Sequence, residues 1–152
     1  MEQKTKIAAE KGKHDLVITR TFELSVEELF LAYTEAELVE QWMGTKVLKL
    51  ESKKHGSYSF ETTDPMGNKH GFNGVIHDYV MNEKITRTFE MENTSFPVQL
   101  EYLNFMELGA ESSQLSIHII YKSIEDRDNM LKLPFAFGIN MAHNRLQEIF
   151  KK

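Results

Sequence analysis

Two arginines lie at positions that the alternation of their predicted strands assigns to apolar residues. Arg20 lies between Ile18 and Phe22 on one side of a strand. Arg87 shares one side of another strand with Phe89. On such a face an arginine could hold the carboxylate of a ligand. The simpler alternative is an arginine that forms an ion pair, or extends its charged end into water, at the edge of the sheet.

The six histidines raise the question of a metal site. They are His14, His55, His70, His77, His118 and His143. None has a second histidine four residues away, and the chain contains no cysteine that could complete a set of zinc ligands. We therefore interpret the histidines as scattered surface residues and expect neither a metal site nor a cofactor.

One histidine is followed directly by an acid, in the pair His77-Asp78. Because neighbouring strand residues point to opposite faces, the two side chains do not form a direct catalytic pair. If Asp78 shares the inward face of Phe72 and Ile76, it is a buried carboxylate near a cavity. The alternative for Asp78 is a hydrogen bond at the end of its strand.

Other common catalytic and binding motifs are missing from the sequence. The glycines of segments 64–68 and 72–74 lack the spacing of a phosphate-binding loop, and neither segment leads into a helix. No serine has the Gly-x-Ser-x-Gly context of a hydrolase nucleophile. A formal net charge of −5 without clustered basic residues argues against nucleic-acid binding. Whether the protein is an enzyme stays open, and we lean against it.

Large apolar side chains on predicted inward faces are the stronger functional signal. Each fits an ordinary core by itself, but together they face a helix stripe wider than packing requires, which favours a cavity. The eight methionines suit an adaptable apolar lining. The candidate ligand-binding residues are Trp42, Tyr58, Phe60, Phe72, Ile76, Phe89, Phe105, Phe137 and Met141, with Arg20, Asp78 and Arg87 as candidate polar groups.

The helix with the wide stripe is predicted over residues 123–152. Ser123 followed by Asp126 is a helix-start signal, and Pro134 predicts a break at 132–133 with a new start near 134. At about 100° per residue, two neighbouring apolar stripes follow. They comprise Leu131, Phe135, Gly138, Ala142, Leu146 and Ile149 in one stripe and Met130, Pro134, Phe137 and Met141 in the other. We expect the first half of this helix to close a cavity and the second half to anchor it.

The other elements form the sheet beneath this helix. The predicted order is a mobile lead-in over residues 1–13, a strand over 14–22, two short helices over 25–33 and 35–43, and about six antiparallel strands over 46–123. Ser25 with Glu28 is a capping box for the first helix, Thr34 is placed as the cap of the second, and Gly44 ends it.

Composition restricts the class of protein further. The chain has 152 residues, of which 41% are hydrophobic, which suits one domain over residues 14–152. No apolar run approaches the roughly 20 residues of a membrane span. With no cysteine, we expect a soluble, cytoplasmic protein. The fold class is α+β, with a curved antiparallel sheet wrapped around a long C-terminal helix and two short helices after the first strand.

Several stretches resemble one known family. They are residues 18–44 (ITRTFELSVEELFLAYTEAELVEQWMG), 56–60 (GSYSF), Gly67, 72–78 (FNGVIHD), 123–130 (SIEDRDNM), Gly138 and 144–146 (NRL). The sequence is similar to the START-like helix-grip domains related to the activator of the Hsp90 ATPase, the AHSA1-like family of the SRPBCC superfamily. The resemblance spans residues 14–150 and implies a deep, mostly apolar cavity between sheet and helix.

Three hypotheses about function follow. The leading one is binding of an apolar or amphipathic small molecule, such as a lipid, a polyketide or a flavonoid, in that cavity. The second is a stress-related module that interacts with a chaperone of the Hsp90 type through the exposed sheet face. The third is a cyclase- or hydrolase-like enzyme that uses Asp78, Arg87 or His143 in the cavity.

Overall fold

The computed structural model describes residues 4–151 and has an α+β fold, as predicted. The strands are β1 Lys6–Ala8, β2 Asp15–Phe22, β3 Lys46–Leu50, β4 Ser57–Thr63, β5 Lys69–Val80, β6 Lys84–Met91, β7 Gln99–Gly109 and β8 Ser112–Ile120. The helices are α1 Val26–Thr34, α2 Ala36–Met43, α3 Ile124–Leu131 and α4 Phe135–Ile149. No helix in the described range is long and apolar enough to cross a membrane.

The eight strands form one antiparallel sheet in the order β1-β2-β8-β7-β6-β5-β4-β3. Strands β3 to β8 follow one another as a meander, which the regular turn spacing predicts. Because β2 pairs with β8, helices α1 and α2 carry the chain from β2 to β3 at the far edge. The sheet curls around the C-terminal helix and produces the predicted helix-grip arrangement.

Strict alternation makes one face of this sheet apolar. In β2 and β8, buried residues alternate with partly exposed ones, and Ile18 of β2 lies opposite Ile117 of β8. Leu115 and Ile119 extend the same buried face. This period of two creates an apolar surface that only a helix with a matching apolar stripe can cover.

The two short helices begin and end close to the predicted positions. Ser25 accepts a hydrogen bond from the backbone of Glu28, whose side chain returns to the Ser25 backbone, so the capping box is confirmed. Gly44 ends α2 with a φ of 64°, in the left-handed region. The cap assigned to Thr34 is wrong, because its hydroxyl donates back to the carbonyl of Phe30 within α1.

The C-terminal helix is broken where the sequence predicts. Helix α3 starts after Ser123, whose hydroxyl accepts from the backbone N–H of Asp126 at 3.1 Å, and it ends at Leu131. Helix α4 starts directly after Pro134. Proline cannot donate a helical hydrogen bond, which separates the two helices and lets each pack on the sheet at its own angle. Lys152 lies outside the described residues.

One of the two predicted apolar stripes does not continue across that break on the same side of the helix. Met130 in α3 is buried, as expected, but Phe137 in α4 is 62% exposed. The buried face of α4 instead contains Asn140, His143 and Leu146. A fixed step of about 100° per residue holds within one continuous helix, and the turn at Pro134 resets the phase.

The prediction of a mobile lead-in over residues 1–13 is wrong for residues 6–8, which form strand β1 against β2. Thr5 beside this strand is buried in a polar cluster. Its backbone N–H donates to Oδ1 of Asn140 at 3.1 Å, and its hydroxyl lies 2.9 Å from Nδ1 of His143. Arg20 donates from Nη1 to the same hydroxyl at 3.1 Å. These long-range contacts, which local patterns do not reveal, fix β1 to α4. Residues 1–3 lie outside the described residues.

His143 gives this cluster a pH dependence that can be measured. Burial and the nearby charge of Arg20 lower the pKa of His143 to about 3. The neutral ring therefore supports the fold above about pH 6.5, the ordinary histidine pKa. Between about pH 6.5 and about pH 3 the unfolded chain binds a proton that the folded chain excludes, so stability falls as the pH falls.

We predict that His143→Gln flattens this dependence. Between about pH 7 and about pH 5.5 the unmodified protein should lose about 1 kcal/mol more unfolding free energy than the variant. Urea denaturation at several pH values measures this. His77→Gln, which removes an exposed histidine, should keep the original pH dependence. Identical pH dependence in His143→Gln and the unmodified protein would contradict the assignment.

Candidate functional site

A cavity of about 400 Å³ lies between the concave face of the sheet and the helices that cover it. The sheet contributes residues of β2, β5, β6, β7 and β8, and all four helices contribute to its walls. The lining residues are Ile18, Tyr33, Trp42, Met43, Phe72, Arg87, Phe89, Met91, Gln99, Glu101, Ile117, Ile119, Met130, Phe135, Gly138, Ile139 and Ala142. Its size lies within the range of sites for small molecules, roughly 300–1,000 Å³.

The apolar part of the lining is only partly packed. Phe72 and Phe89 stack with ring centroids 5.7 Å apart and planes inclined by 23°. Both rings remain partly exposed, as do Met91, Phe135 and Ile139. Such side chains have contact partners on one side and open space on the other, which is the arrangement expected at a binding site for an apolar molecule.

A polar group lies in the same cavity. Nε of Arg87 donates to Oε1 of Glu101 at 3.0 Å, and the exposed fractions of the two side chains are only 16% and 8%. Nε2 of Gln99 donates to Oε2 of the same carboxylate at 2.8 Å. The guanidinium carbon of Arg87 lies 5.3 Å from the ring centroid of Tyr58 and 5.9 Å from that of Tyr33. These contacts hold a charged group in a mainly apolar site.

Burial and charge act in opposite directions on the pKa values of this group. Burial alone would lower the pKa of Arg87, but Tyr58 and Glu101 raise it on balance above its ordinary value. Burial also raises the pKa of Tyr33 and of Tyr58. Arg87 therefore stays cationic and the two phenols stay neutral at any physiological pH.

The outer nitrogens of Arg87 are available. In the described range, Nη1 and Nη2 form no hydrogen bond, since the contact with Glu101 uses Nε. Within residues 4–151, three side-chain atoms are fully enclosed and have no hydrogen-bond partner: Arg20 Nε, Ser113 Oγ and Tyr121 Oη. The Nη atoms of Arg87 are not among them. They are thus not fully enclosed, and because Arg87 lines the cavity we infer that its Nη groups face that space.

The structure brings four of the predicted site residues together. Trp42, Phe72, Phe89 and Arg87 all line the cavity. Trp42 is largely enclosed and donates from Nε1 to the carbonyl of Ala32 at 2.7 Å, which fixes its ring at the helical wall.

Six other candidates do not line this cavity. Tyr58, Phe60, Ile76 and Phe105 are buried in the core, while Phe137 is exposed and Met141 is half-buried on the far side of α4. Tyr58 donates to the carbonyl of Thr88 and packs so closely on Gly74 that a Cβ there would lie 2.6 Å from its hydroxyl. Glycine at position 74 therefore admits the Tyr58 ring.

The polar candidates other than Arg87 lie elsewhere. Arg20 belongs to the buried cluster with Thr5. Asp78 is 38% exposed at its side chain and pairs with Lys84 at 3.1 Å, which excludes the inward alternative and leaves the one at the outer side of its strand. The cause is a bulge after Ile76, which places Asp78 opposite Thr86 rather than on the face that Arg87 occupies.

The enzyme hypothesis also named His143, which is fully buried and does not line the cavity. Its ring lies 2.9 Å from the Thr5 hydroxyl and 3.4 Å from that of Tyr33. Within residues 4–151, no three histidine or acidic side chains come close enough to hold a metal ion.

Glu101 and Gln99 are the polar lining residues that local patterns missed. A signal for Glu101 existed, because it shares the alternation of the buried residues Leu103 and Phe105 in β7. It also lies directly opposite Arg87 in the register of β6 and β7. Recognising the pair from sequence requires that register, which depends on turn lengths as well as on alternation.

A second, larger groove of about 640 Å³ lies beside β2 and the end of α4. Lys4, Glu23, Glu148 and Lys151 line it, and all four are exposed. Charges of both signs and free access of water make it a poor site for an apolar molecule, so the smaller cavity is the candidate site.

We predict that the Arg87–Glu101 pair is energetically coupled. Arg87→Met leaves the Glu101 carboxylate in a mainly apolar cavity and should cost about 3 kcal/mol of unfolding free energy. The double variant Arg87→Met/Glu101→Gln should recover more than half of that loss, because no unpaired charge remains. Urea denaturation of the single and double variants measures the coupling.

The exposed pair Lys84–Asp78 is a matched control, and Lys84→Met should cost less than about 1 kcal/mol. An Arg87→Met variant as stable as the protein itself would show that the pair is not buried as described.

Comparison with known proteins agrees with this architecture. Protein Ms6760 from Mycobacterium smegmatis has a TM-score of 0.86 at 19% identity, over 97% of this chain and 96% of that one. A protein from Staphylococcus epidermidis has a TM-score of 0.80 at 22% identity, over 92% and 91%. CV1439 from Chromobacterium violaceum has a TM-score of 0.75 at 20% identity, over 91% and 98%. Identities this low indicate a shared fold alone.

No curated protein matches the chain significantly. The family model that matches it is named activator of Hsp90 ATPase homolog 1-like protein and aligns with residues 23–151. Because that match covers most of the chain, this protein belongs to the family of activator of Hsp90 ATPase homolog 1-like proteins.

Proposed function

We propose that this protein binds a small apolar or amphipathic molecule, of the lipid, polyketide or flavonoid kind, in the cavity beneath α3 and α4. The observation that carries the proposal is a cavity of about 400 Å³ whose walls are mainly aromatic and aliphatic. A few polar groups at one position and an apolar remainder are typical of sites that orient small organic ligands.

The energetic support comes from apolar surface that the fold leaves uncovered. Phe72, Phe89, Met91, Phe135 and Ile139 are only partly buried although they face the interior of the molecule. Each Å² of this surface that a ligand removes from water contributes about 25 cal/mol. A ligand of suitable shape that covers this apolar surface therefore gains a favourable hydrophobic contribution to its binding free energy.

Methionines make the lining adaptable. Met43, Met91 and Met130 border the cavity from α2, β6 and α3. Their unbranched side chains change shape at low cost, which allows the cavity to accommodate related ligands rather than a single one.

The helix break supplies a route of entry. Met130 lies just before the break, and Phe135, Gly138 and Ile139 lie just after it, all at the cavity. The linker of residues 132–134 lacks a continuous helical ladder, so α3 and the start of α4 can move relative to each other. We assign the opening and closing of the cavity to residues 130–141.

The two other hypotheses stay predictions with their own requirements. A chaperone partner would bind the exposed face of the sheet and would be insensitive to substitutions in the cavity. For catalysis, Arg87 alone of the three named residues lines the cavity. A guanidinium that stays protonated can hold a charge but cannot act as a general base.

Ligand binding is tested by filling the cavity. Half-buried Ala142 lines it, so Ala142→Leu should occupy ligand space and weaken binding at least about tenfold. Fluorescence of Trp42, the single tryptophan, and amide NMR shifts measure binding of a panel of fatty acids, alcohols, flavonoids and polyketides.

Ala136→Leu is the matched control, since Ala136 lies on α4 but is exposed to solvent, and it should bind as the unmodified protein does. If no panel member shifts the signals of cavity residues, or if both variants bind equally well, the proposal is wrong.

A further inference from the structure

We propose that the polar end of the ligand is a carboxylate and that Nη1 and Nη2 of Arg87 hold it. This inference rests on the proposed function, because it concerns the same cavity and specifies the chemical class of its ligand. The class is an organic acid with an apolar body, such as a medium-chain fatty acid or an arylalkanoic acid.

The polar side chains of the cavity differ in how many of their hydrogen-bonding atoms already have a partner. Glu101 uses Oε1 for Arg87 and Oε2 for Gln99, so both carboxylate oxygens already accept hydrogen bonds. Arg87 uses only Nε, and in the described range its two outer nitrogens have no partner. The hydrogen-bonding capacity offered to a ligand is therefore mainly that of a donor with positive charge.

The guanidinium is held in place before a ligand arrives. Glu101 binds it at one edge, and the rings of Tyr33 and Tyr58 lie within 6 Å of its central carbon. A guanidinium that is already held in place loses little conformational freedom when it binds a ligand. The N–H groups of its Nη1 and Nη2 match the two oxygens of a carboxylate. Hydrogen bonds in which both partners are charged are also the stronger kind.

Charge balance around the cavity favours an acid over an amine. Arg87 and Glu101 are the charged residues of its lining, and they already neutralise each other. A ligand ammonium would meet the positive guanidinium and a carboxylate whose two oxygens each already accept one hydrogen bond. A ligand carboxylate meets free donors, and the repulsion from Glu101 is reduced because Arg87 and Gln99 hold both of its oxygens.

The remaining walls determine the rest of the ligand. Phe72, Phe89, Met91, Phe135 and Ile139 offer only apolar surface. A second polar group on the ligand would lose its water there without gaining a partner. One acidic end on an apolar body is therefore the pattern that the lining selects.

The experiment compares decanoic acid, decanol and decylamine, which share one alkyl chain. At about pH 8 the acid is ionised and the amine is protonated. Calorimetry and Trp42 fluorescence should show that the unmodified protein binds the acid at least about tenfold more tightly than the alcohol, and the amine most weakly. This comparison needs no variant.

The double variant Arg87→Met/Glu101→Gln then identifies the group responsible. It leaves no buried charge, so the fold should persist, and circular dichroism checks this. We expect it to bind decanoic acid no more tightly than decanol, so that the preference for the acid is lost. Lys84→Met, which removes an exposed positive charge outside the cavity, should keep the preference.

The outcomes separate this inference from the proposed function. Equal binding of acid and alcohol, tighter binding of the amine, or an acid preference that survives in the double variant would each overturn the inference and leave the proposed function standing. Absence of binding by all three compounds would overturn the inference, and absence of binding by the whole panel of fatty acids, alcohols, flavonoids and polyketides would overturn the proposed function itself.

Discussion

A concave sheet with an apolar face must be covered, and the C-terminal helix covers it unevenly. The later part of α4 packs tightly, with Leu146 and His143 fully enclosed. The earlier part, together with α3 across the Pro134 break, leaves Phe135 and Ile139 only half-buried. Residues on both sides of the break line the cavity, which lies where the helical cover is interrupted.

Stability does not account for the charged pair inside this cavity. Desolvation of Arg87 and Glu101 offsets much of their attraction, and apolar residues of similar volume would pack as well. What the pair offers is a positioned guanidinium with free donors in a site that is otherwise apolar. Gln99 and the two tyrosine rings fix its geometry. The same features that make the pair costly to bury therefore make it selective.

Local chemistry explains which parts of the structure were predictable from sequence. The capping box at Ser25, the left-handed Gly44 and the break at Pro134 depend on a few neighbouring residues, and all three were confirmed. The orientation of Phe137 was wrong, and Asp78 took the outward of its two alternatives, because a helix break and a β-bulge shift the period on which such predictions rest. Strand β1 depends on contacts of Thr5 with α4, far away in sequence. Glu101 acquires its role only through the register with Arg87.

The most direct test of the ligand cavity is a measurement of contacts between a bound molecule and the protein. Intermolecular nuclear Overhauser effects, with decanoic acid as ligand, report which side-chain protons lie close to it. We predict contacts from the alkyl chain to Met130, Ile139 and Ala142, which line the cavity from α3 and α4. Contacts confined to residues outside the cavity, such as Met141 and Phe137, would contradict the account.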